Sequence, residues 1–293
     1  MLKKISIMGV SLLFSYGIYF LTLGDYNQTK EFNLLNMLPH HPYESKWNIR
    51  PLSQEEKTSV HTILNQDFRY IGGGTQVYVL LSTDNKYVLK IFKQRRYTVP
   101  RWMRYLVPSF LSYREKKIGH IERTLERDFN SYKIAFEQLR DETALRFVHL
   151  KSPGDDFHHT VTLIDRENNK LNIDLHDCEF ILQDKAEMVC PNINRHMESG
   201  DLAGAKASID SLFELLYNRC KKKIDDSDPN LEKNYAFIND KAVQIDIGRF
   251  SLGEPQDFPH ISEKFKNFLH NKYPELEKHY DEQYLAYSEK YAQ

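Results

Sequence analysis

Gln244-Ile245-Asp246-Ile247-Gly248-Arg249-Phe250 is the stretch whose reading decides the fold. Ala242, Val243 and Ile245 are strand-forming and apolar, and they deliver Asp246 to a glycine-containing turn. Upstream, a loop dense in acids (Asp225, Asp226, Asp228) runs into Asn234. Between them, Tyr235-Ala236-Phe237-Ile238, an Asn239-Asp240 turn and Ala242-Val243-Gln244-Ile245 predict a hairpin. Closing that hairpin returns Asp246 to the neighbourhood of Asn234. Two hard oxygen ligands at the ends of a short hairpin suit a divalent cation that carries a nucleotide phosphate.

Working outward, the pattern predicts strands at Phe68-Arg69-Tyr70-Ile71, Val77-Tyr78-Val79-Leu80-Leu81 and Tyr87-Val88-Leu89-Lys90-Ile91-Phe92. Gly72-Gly73-Gly74-Thr75 turns the first of these strands into the second, making a three-stranded antiparallel meander. Ser53 followed by Glu56 predicts a capped helix from Ser53 to Asn65. Ile121, Leu125, Phe129, Tyr132, Phe136 and Leu139 recur near the helical period and predict a helix from Gly119 to Leu139. Further strands are expected at Ala144–Leu150, Thr160–Ile164, Leu171–Leu175 and Glu179–Leu182, with Glu167-Asn168-Asn169 as a hairpin turn. Asp201 to Lys223 is amphipathic, and helices from Ile261 to Leu269 and from Pro274 to Tyr291 close the chain. Strands with one helix come first, then mostly helices around one hairpin. The predicted class is therefore α+β in two lobes: a small antiparallel-sheet lobe over 56–185 and a helical lobe over 186–293 that holds the hairpin 234–246.

The bulk numbers agree with a globular chain. It has 293 residues, 41% hydrophobic and 28% charged, enough for one large domain or two lobes. A formal net charge of -1 gives no electrostatic basis for nucleic-acid binding, and no nucleic-acid partner is expected. Cys178, Cys190 and Cys220 form no Cys-x-x-Cys pair and read as ordinary thiols. At the N-terminus, Lys3 and Lys4 precede the uncharged run Ile5–Leu23, long enough to cross a bilayer as a helix. Phe20-Leu21-Thr22-Leu23-Gly24 is a poor cleavage site, which favours an uncleaved single-pass anchor over 1–24, with a signal peptide as the alternative. The two lysines before the run favour an N-terminus inside and the bulk of the chain outside the cytoplasm. Pro39, Pro42 and Pro51 mark 25–55 as a tether or wrapping arm.

In four places, in order from Phe68 to Phe250, the chain resembles the protein-kinase-like superfamily. Gly72-Gly73-Gly74-Thr75-Gln76-Val77 resembles the glycine-rich loop that covers nucleotide phosphates. Val88-Leu89-Lys90 resembles the third-strand lysine element. Asn234 and Asp246-Ile247-Gly248 resemble the metal-binding asparagine and the Asp-Phe-Gly element. The resemblance implies ATP and Mg²⁺ as cofactors. Gly72, Gly73, Gly74 and Thr75 then lie over the phosphates, Lys90 binds them, and Asn234 and Asp246 are the metal ligands. It also implies a glutamate on the following helix that holds Lys90. Glu126 is the choice, with Glu122 one turn earlier as the alternative. The segment Glu179–Met188, with Gln183 at its centre, falls where the hinge holds an adenine edge.

Three departures shape the expectation. His-Arg-Asp is absent, and Ile224 to Asn234 leaves Asp228 as first candidate for the catalytic carboxylate and Asp226 as second. The basic, aromatic stretch 93–117 reads as an insertion before the helix. Few residues follow Phe250, and no Ala-Pro-Glu element is present, which points to lipid, glycan or small-molecule acceptors over proteins. Two functions stay open: a membrane-anchored phosphotransferase, and a pseudokinase that serves as a binding or scaffold domain.

Overall fold

The computed structural model describes residues 33, 36–41, 44–100, 103, 112–150, 157–228, 230–255, 258 and 263–293. The expected anchor over 1–24 and most of the stretch 98–111 lie outside the described residues. Among the described residues no helix is long and apolar enough to cross a membrane.

Helix α1 spans Gln54–Leu64. Ser53 starts it with a complete capping box: its side chain accepts from the Glu56 amide, and the Glu56 carboxylate accepts from the Ser53 amide. Strands β1 (Phe68–Gly73), β2 (Val77–Ser82) and β3 (Tyr87–Phe92) form the antiparallel meander. Alternation in β2 sends Tyr78, Leu80 and Ser82 inward. Helix α2 runs from Ser112 to Gln138 and buries Ile121, Leu125, Phe129, Tyr132 and Phe136. It begins ahead of Gly119, so Lys116 and Lys117 belong to its exposed first turns rather than to an insertion. Charged residues on the solvent face concealed that start, because they carry no apolar period.

Strands β4 (Leu145–His149), β5 (Thr160–Ile164), β6 (Lys170–Asp174) and β7 (Phe180–Asp184) complete a seven-stranded sheet in the order β4-β7-β3-β2-β1-β5-β6. β7 lies between β3 and β4, and four of its five residues are buried, as expected for a strand covered on both faces. The β1–β5 pair is parallel and the other pairs of this sheet are antiparallel. α1 and α2 both pack on this sheet's core, where one helix was expected. The arm reaches the same core: Met37 and Trp47 are buried, and the Trp47 and Phe129 rings meet edge to face at 5.0 Å.

At Lys185-Ala186 the chain leaves the large sheet for β8 (Glu187–Met188), an edge strand of a second sheet. Helix α3 (Val189–Glu198) follows, an element the sequence pattern did not announce. Pro191 reads as a breaker, yet it sits in the first helical turn, where a missing N–H leaves nothing unpaired. Helix α4 (Leu202–Lys221), β9 (Ile224–Asp226), the single turn α5 (Leu231–Asn234), β10 (Tyr235–Ile238), β11 (Lys241–Gln244), β12 (Phe250–Leu252), α6 (Glu263–Lys272) and α7 (Pro274–Ala292) complete the chain. The helices enclose a separate core around Val189, Ile209, Phe213, Phe265 and Leu276. The described residues are thus α+β, with two large apolar cores and a small third cluster of Ala144, Ala236 and Val243. Ile247 and Phe250 belong to the sheet's core, whereas Tyr235 and Phe237 of the hairpin belong to the helical one. Asp246 stands where the two meet.

Candidate nucleotide site at the junction of the two cores

The β10–β11 hairpin positions the acidic site. Asn239 and Asp240 have φ of 49° and 61°, the left-handed pair that a two-residue hairpin turn requires and that Asn and Asp adopt readily. The register opposes Tyr235 to Gln244 and so places Asn234 opposite the strand's exit. The Asn234 carbonyl accepts the Ile245 amide at 2.7 Å and the Asp246 amide at 3.3 Å. Asn234 and Asp246 are therefore brought together. The Asn234 side-chain amide donates to the Asp228 carbonyl at 2.7 Å, which leaves Oδ1 as the atom offered to a cation. Asp246 Oδ1 accepts the Gly248 amide at 3.4 Å, a short turn that aims the carboxylate.

Lys90 reaches the same peptide from β3. Its Nζ donates to the Ile245 carbonyl at 2.6 Å. Burial pushes this amine down to about 8, while the neighbouring Asp246 carboxylate acts in the opposite direction. The turn between β1 and β2, comprising Gly74, Thr75 and Gln76 after Gly72 and Gly73, meets this region through the Gln76 side chain, which lies against Gly248. Lys93 Nζ donates to the Gly74 carbonyl at 2.7 Å, and a Cβ on Gly73 would stand 2.7 Å from the Val77 carbonyl oxygen. No side chain other than hydrogen fits at Gly73.

Helix α2 does not supply the expected glutamate. Glu126 lies on its exposed face and pairs with Lys46 at 3.1 Å, and Glu122 is exposed as well. The inward face carries Asp128, Ser131 and Tyr132 instead. Asp128 is fully buried and is held by Arg96 at 2.8 Å, by Arg127 at 2.7 Å and by the Tyr97 hydroxyl at 3.1 Å. Ser131 donates to the Ile247 carbonyl and accepts the Phe250 amide at 2.6 Å, fastening both sides of Gly248 to the helix. Glu122 and Glu126 sit one residue from Ile121 and Leu125, out of phase with the apolar stripe, and that phase excluded them.

Gln183 also departs from expectation. Its side-chain amide donates to the Thr143 carbonyl at 2.8 Å, and its strand is paired on both edges, with Val88 and with Leu145. The link that follows packs at the junction, where Ala186 and Met188 lie against the Ala144, Ala236 and Val243 cluster beside Ile245.

The two loop aspartates divide sharply. Asp226 is buried. Its Oδ2 accepts from Gln244 Nε2 at 2.6 Å and lies 3.4 Å from Arg219 Nη1, and its Oδ1 accepts the Asp228 amide at 3.0 Å. Arg219 further donates to the Tyr235 hydroxyl and to Gln244 Oε1, each at 2.6 Å. Asp226 is thus committed to a buried ion pair and is not available as a base. Asp228 is partly exposed, and its backbone is fixed by Asn234 and Asp226. Sequence reasoning missed Arg219, though a cation on the stripe of Leu212, Leu216 and Cys220 was the available signal.

Among the described residues, no group of three or more His, Cys, Asp or Glu side chains is placed to hold a metal ion by itself. A two-ligand oxygen set fits Mg²⁺, which keeps waters and takes its remaining ligands from substrate phosphates. Asn234 and Asp246 fit that role.

No protein-family model matches the sequence, and no curated protein matches it. Solved structures overlap with it loosely. The bifunctional kinase-methyltransferase WbdD is 15% identical over 66% of this chain and 33% of its own, at a TM-score of 0.30. The ROP18 kinase domain, solved with AMP-PNP and sucrose, is 13% identical over 71% of this chain and 64% of its own, at 0.35. Rv3197 from Mycobacterium tuberculosis, solved with erythromycin, is 13% identical over 69% and 53%, at 0.32. The chain spans less than two thirds of each. Likeness of this order transfers no chemistry, and the site is read from its own residues.

The division between the aspartates is measurable. Asp226→Ala strands the buried Arg219 charge and is expected to cost about 3–5 kcal/mol in urea unfolding, whereas Asp228→Asn changes stability by about 0.5 kcal/mol or less. Equal effects would remove the distinction.

Proposed function

We propose that the chain binds ATP with Mg²⁺ at this junction and transfers the terminal phosphoryl group to a hydroxyl. The acceptor class is lipid, glycan or small molecule in preference to protein. The observation that carries the reading is convergence on one peptide: Lys90 from the sheet and Asn234 from the helical side both bind the 245–246 unit that presents Asp246. Lys90 holds phosphate oxygens, and Asn234 and Asp246 supply oxygen ligands. Mg²⁺ held by Asn234 and Asp246 would offset the negative charge of the phosphates during transfer. Asp228 accepts the acceptor's hydroxyl proton, with its backbone steadied by Asn234. Residues 1–24 tether the domain to a membrane, with the bulk outside the cytoplasm.

A second reading, a kinase-like binding domain without catalysis, draws support from one observation. Lys90 has no glutamate on α2 to steady it and is engaged by a backbone carbonyl. Thermal-shift titration with ATP and Mg²⁺, joined to a phosphate-release assay, separates the two. Saturation near a hundred times Kd is expected to stabilise the protein by about 2.7 kcal/mol, and Asp246→Asn is expected to abolish the Mg²⁺-dependent part. Release lost in Asp228→Asn marks an enzyme, a shift without release marks a binding domain, and no shift rejects both.

Lys90 also sets a pH dependence. Its folded-state value of about 8 is below that of a free lysine, so the ammonium that attracts phosphate is present below pH 8 and is lost above it. ATP affinity is expected to weaken about tenfold between pH 7 and pH 9, as one proton is taken up on binding. A flat profile in isothermal titration would show that Lys90 does not meet the phosphates.

A further inference from the structure

Gln76 is the last residue of the glycine turn before β2, and its side chain points down into the junction. Gln76 Oε1 accepts from the Tyr132 hydroxyl at 3.1 Å. A Cβ built on Gly248 would stand 2.7 Å from that same oxygen and 3.2 Å from Nε2. The amide therefore rests on the Gly248 peptide, two residues from Asp246, in a space that exists because position 248 has no side chain. Tyr132 is buried with its ring against Phe92 at 4.8 Å, and burial, reinforced by the nearby Asp246 and Asp128 carboxylates, keeps its phenol protonated as a donor. Lys90, meanwhile, spends a hydrogen bond on the Ile245 carbonyl.

The turn that carries Gln76 is held down as well. The Lys93 amide donates to the Gln76 carbonyl at 2.8 Å, and Lys93 Nζ donates to the Gly74 carbonyl at 2.7 Å while lying 4.7 Å from the centre of the Tyr78 ring. One lysine at the end of β3 thus pins both sides of Thr75.

We propose that Gln76 is an internal occupant of the phosphate position, so that the resting site is shut and a nucleotide binds only when the glycine turn lifts this side chain from Tyr132 and Gly248. The proposal rests on the nucleotide reading above and adds its regulation. The closure consists of neutral side-chain contacts, each of modest strength, so it is a low barrier rather than a block. A protein whose competent state is a fraction of the total shows an affinity reduced by that fraction. Removing the occupant raises the fraction.

The test is isothermal titration of the full chain with Mg²⁺ and ATP, using the wild type, Gln76→Ala, Tyr132→Phe and, as the site control, Lys90→Met. Gln76→Ala is expected to bind about three- to tenfold more tightly than the wild type, the range set by losing a neutral hydrogen bond. Tyr132→Phe keeps the ring and loses the donor, and is expected to move the same way by a smaller factor. Without nucleotide, amide exchange across 72–77 is expected to quicken in Gln76→Ala. Lys90→Met is expected to lose binding, which ties the gain in Gln76→Ala to this site. Equal or weaker binding by Gln76→Ala, with the wild type binding normally, overturns the occupant role and leaves the nucleotide reading standing. No binding by any variant overturns both.

Discussion

The peptide joining Ile245 to Asp246 ties three separately built parts of the molecule together. The Asn234 carbonyl accepts its Asp246 N–H and the preceding Ile245 N–H, Lys90 reaches its carbonyl from the large sheet, and Ser131 on α2 fastens the residues just beyond it. These bonds lie where the two large apolar cores meet, beside a small cluster of Ala144, Ala236 and Val243. Polar groups that converge where two independently packed cores meet are a common setting of a ligand site. Here the groups that converge are oxygen atoms of Asn234 and Asp246 and the amine of Lys90.

Burying charge at this junction is costly, and the structure divides the cost between two kinds of residue. Arg219 and Asp226 are buried structurally, with Gln244 and Tyr235 occupying their remaining hydrogen-bonding positions. They carry the loop that holds Asp228. Lys90 is left less well compensated, and burial depresses its amine. Asp128, by contrast, has three partners and serves to hold α2 against the residues that follow β3.

Much of this was legible in the sequence, for identifiable reasons. The Ser53 capping box, the three meander strands and the Asn239-Asp240 hairpin are local patterns, and each appears where local chemistry placed it. Asn234 and Asp246 met because hairpin register is nearly deterministic once the turn is known. The failures concern residues whose role depends on partners far along the chain. Glu126 has the charge that would hold Lys90, but its helical phase points it at Lys46. Gln183 was chosen by order, but its strand is interior and its side chain is turned to Thr143. Asp226 stands second to Asp228 on spacing alone, and the pairing with Arg219 from the preceding helix separates the two further. Helix α3 was hidden by Pro191, and Gln76 by its position in a turn whose glycines drew attention to the backbone alone.

The central claim is that the hairpin assembles one cation site from Asn234 and Asp246 beside the amine of Lys90. Crystals grown with Mn²⁺ in place of Mg²⁺ and a non-hydrolysable ATP analogue test it directly, because manganese gives an anomalous signal. The account predicts an anomalous peak coordinated by Asn234 Oδ1 and the Asp246 carboxylate, with a phosphate oxygen of the analogue on Lys90. A nucleotide bound elsewhere, or manganese that avoids both residues, would contradict it.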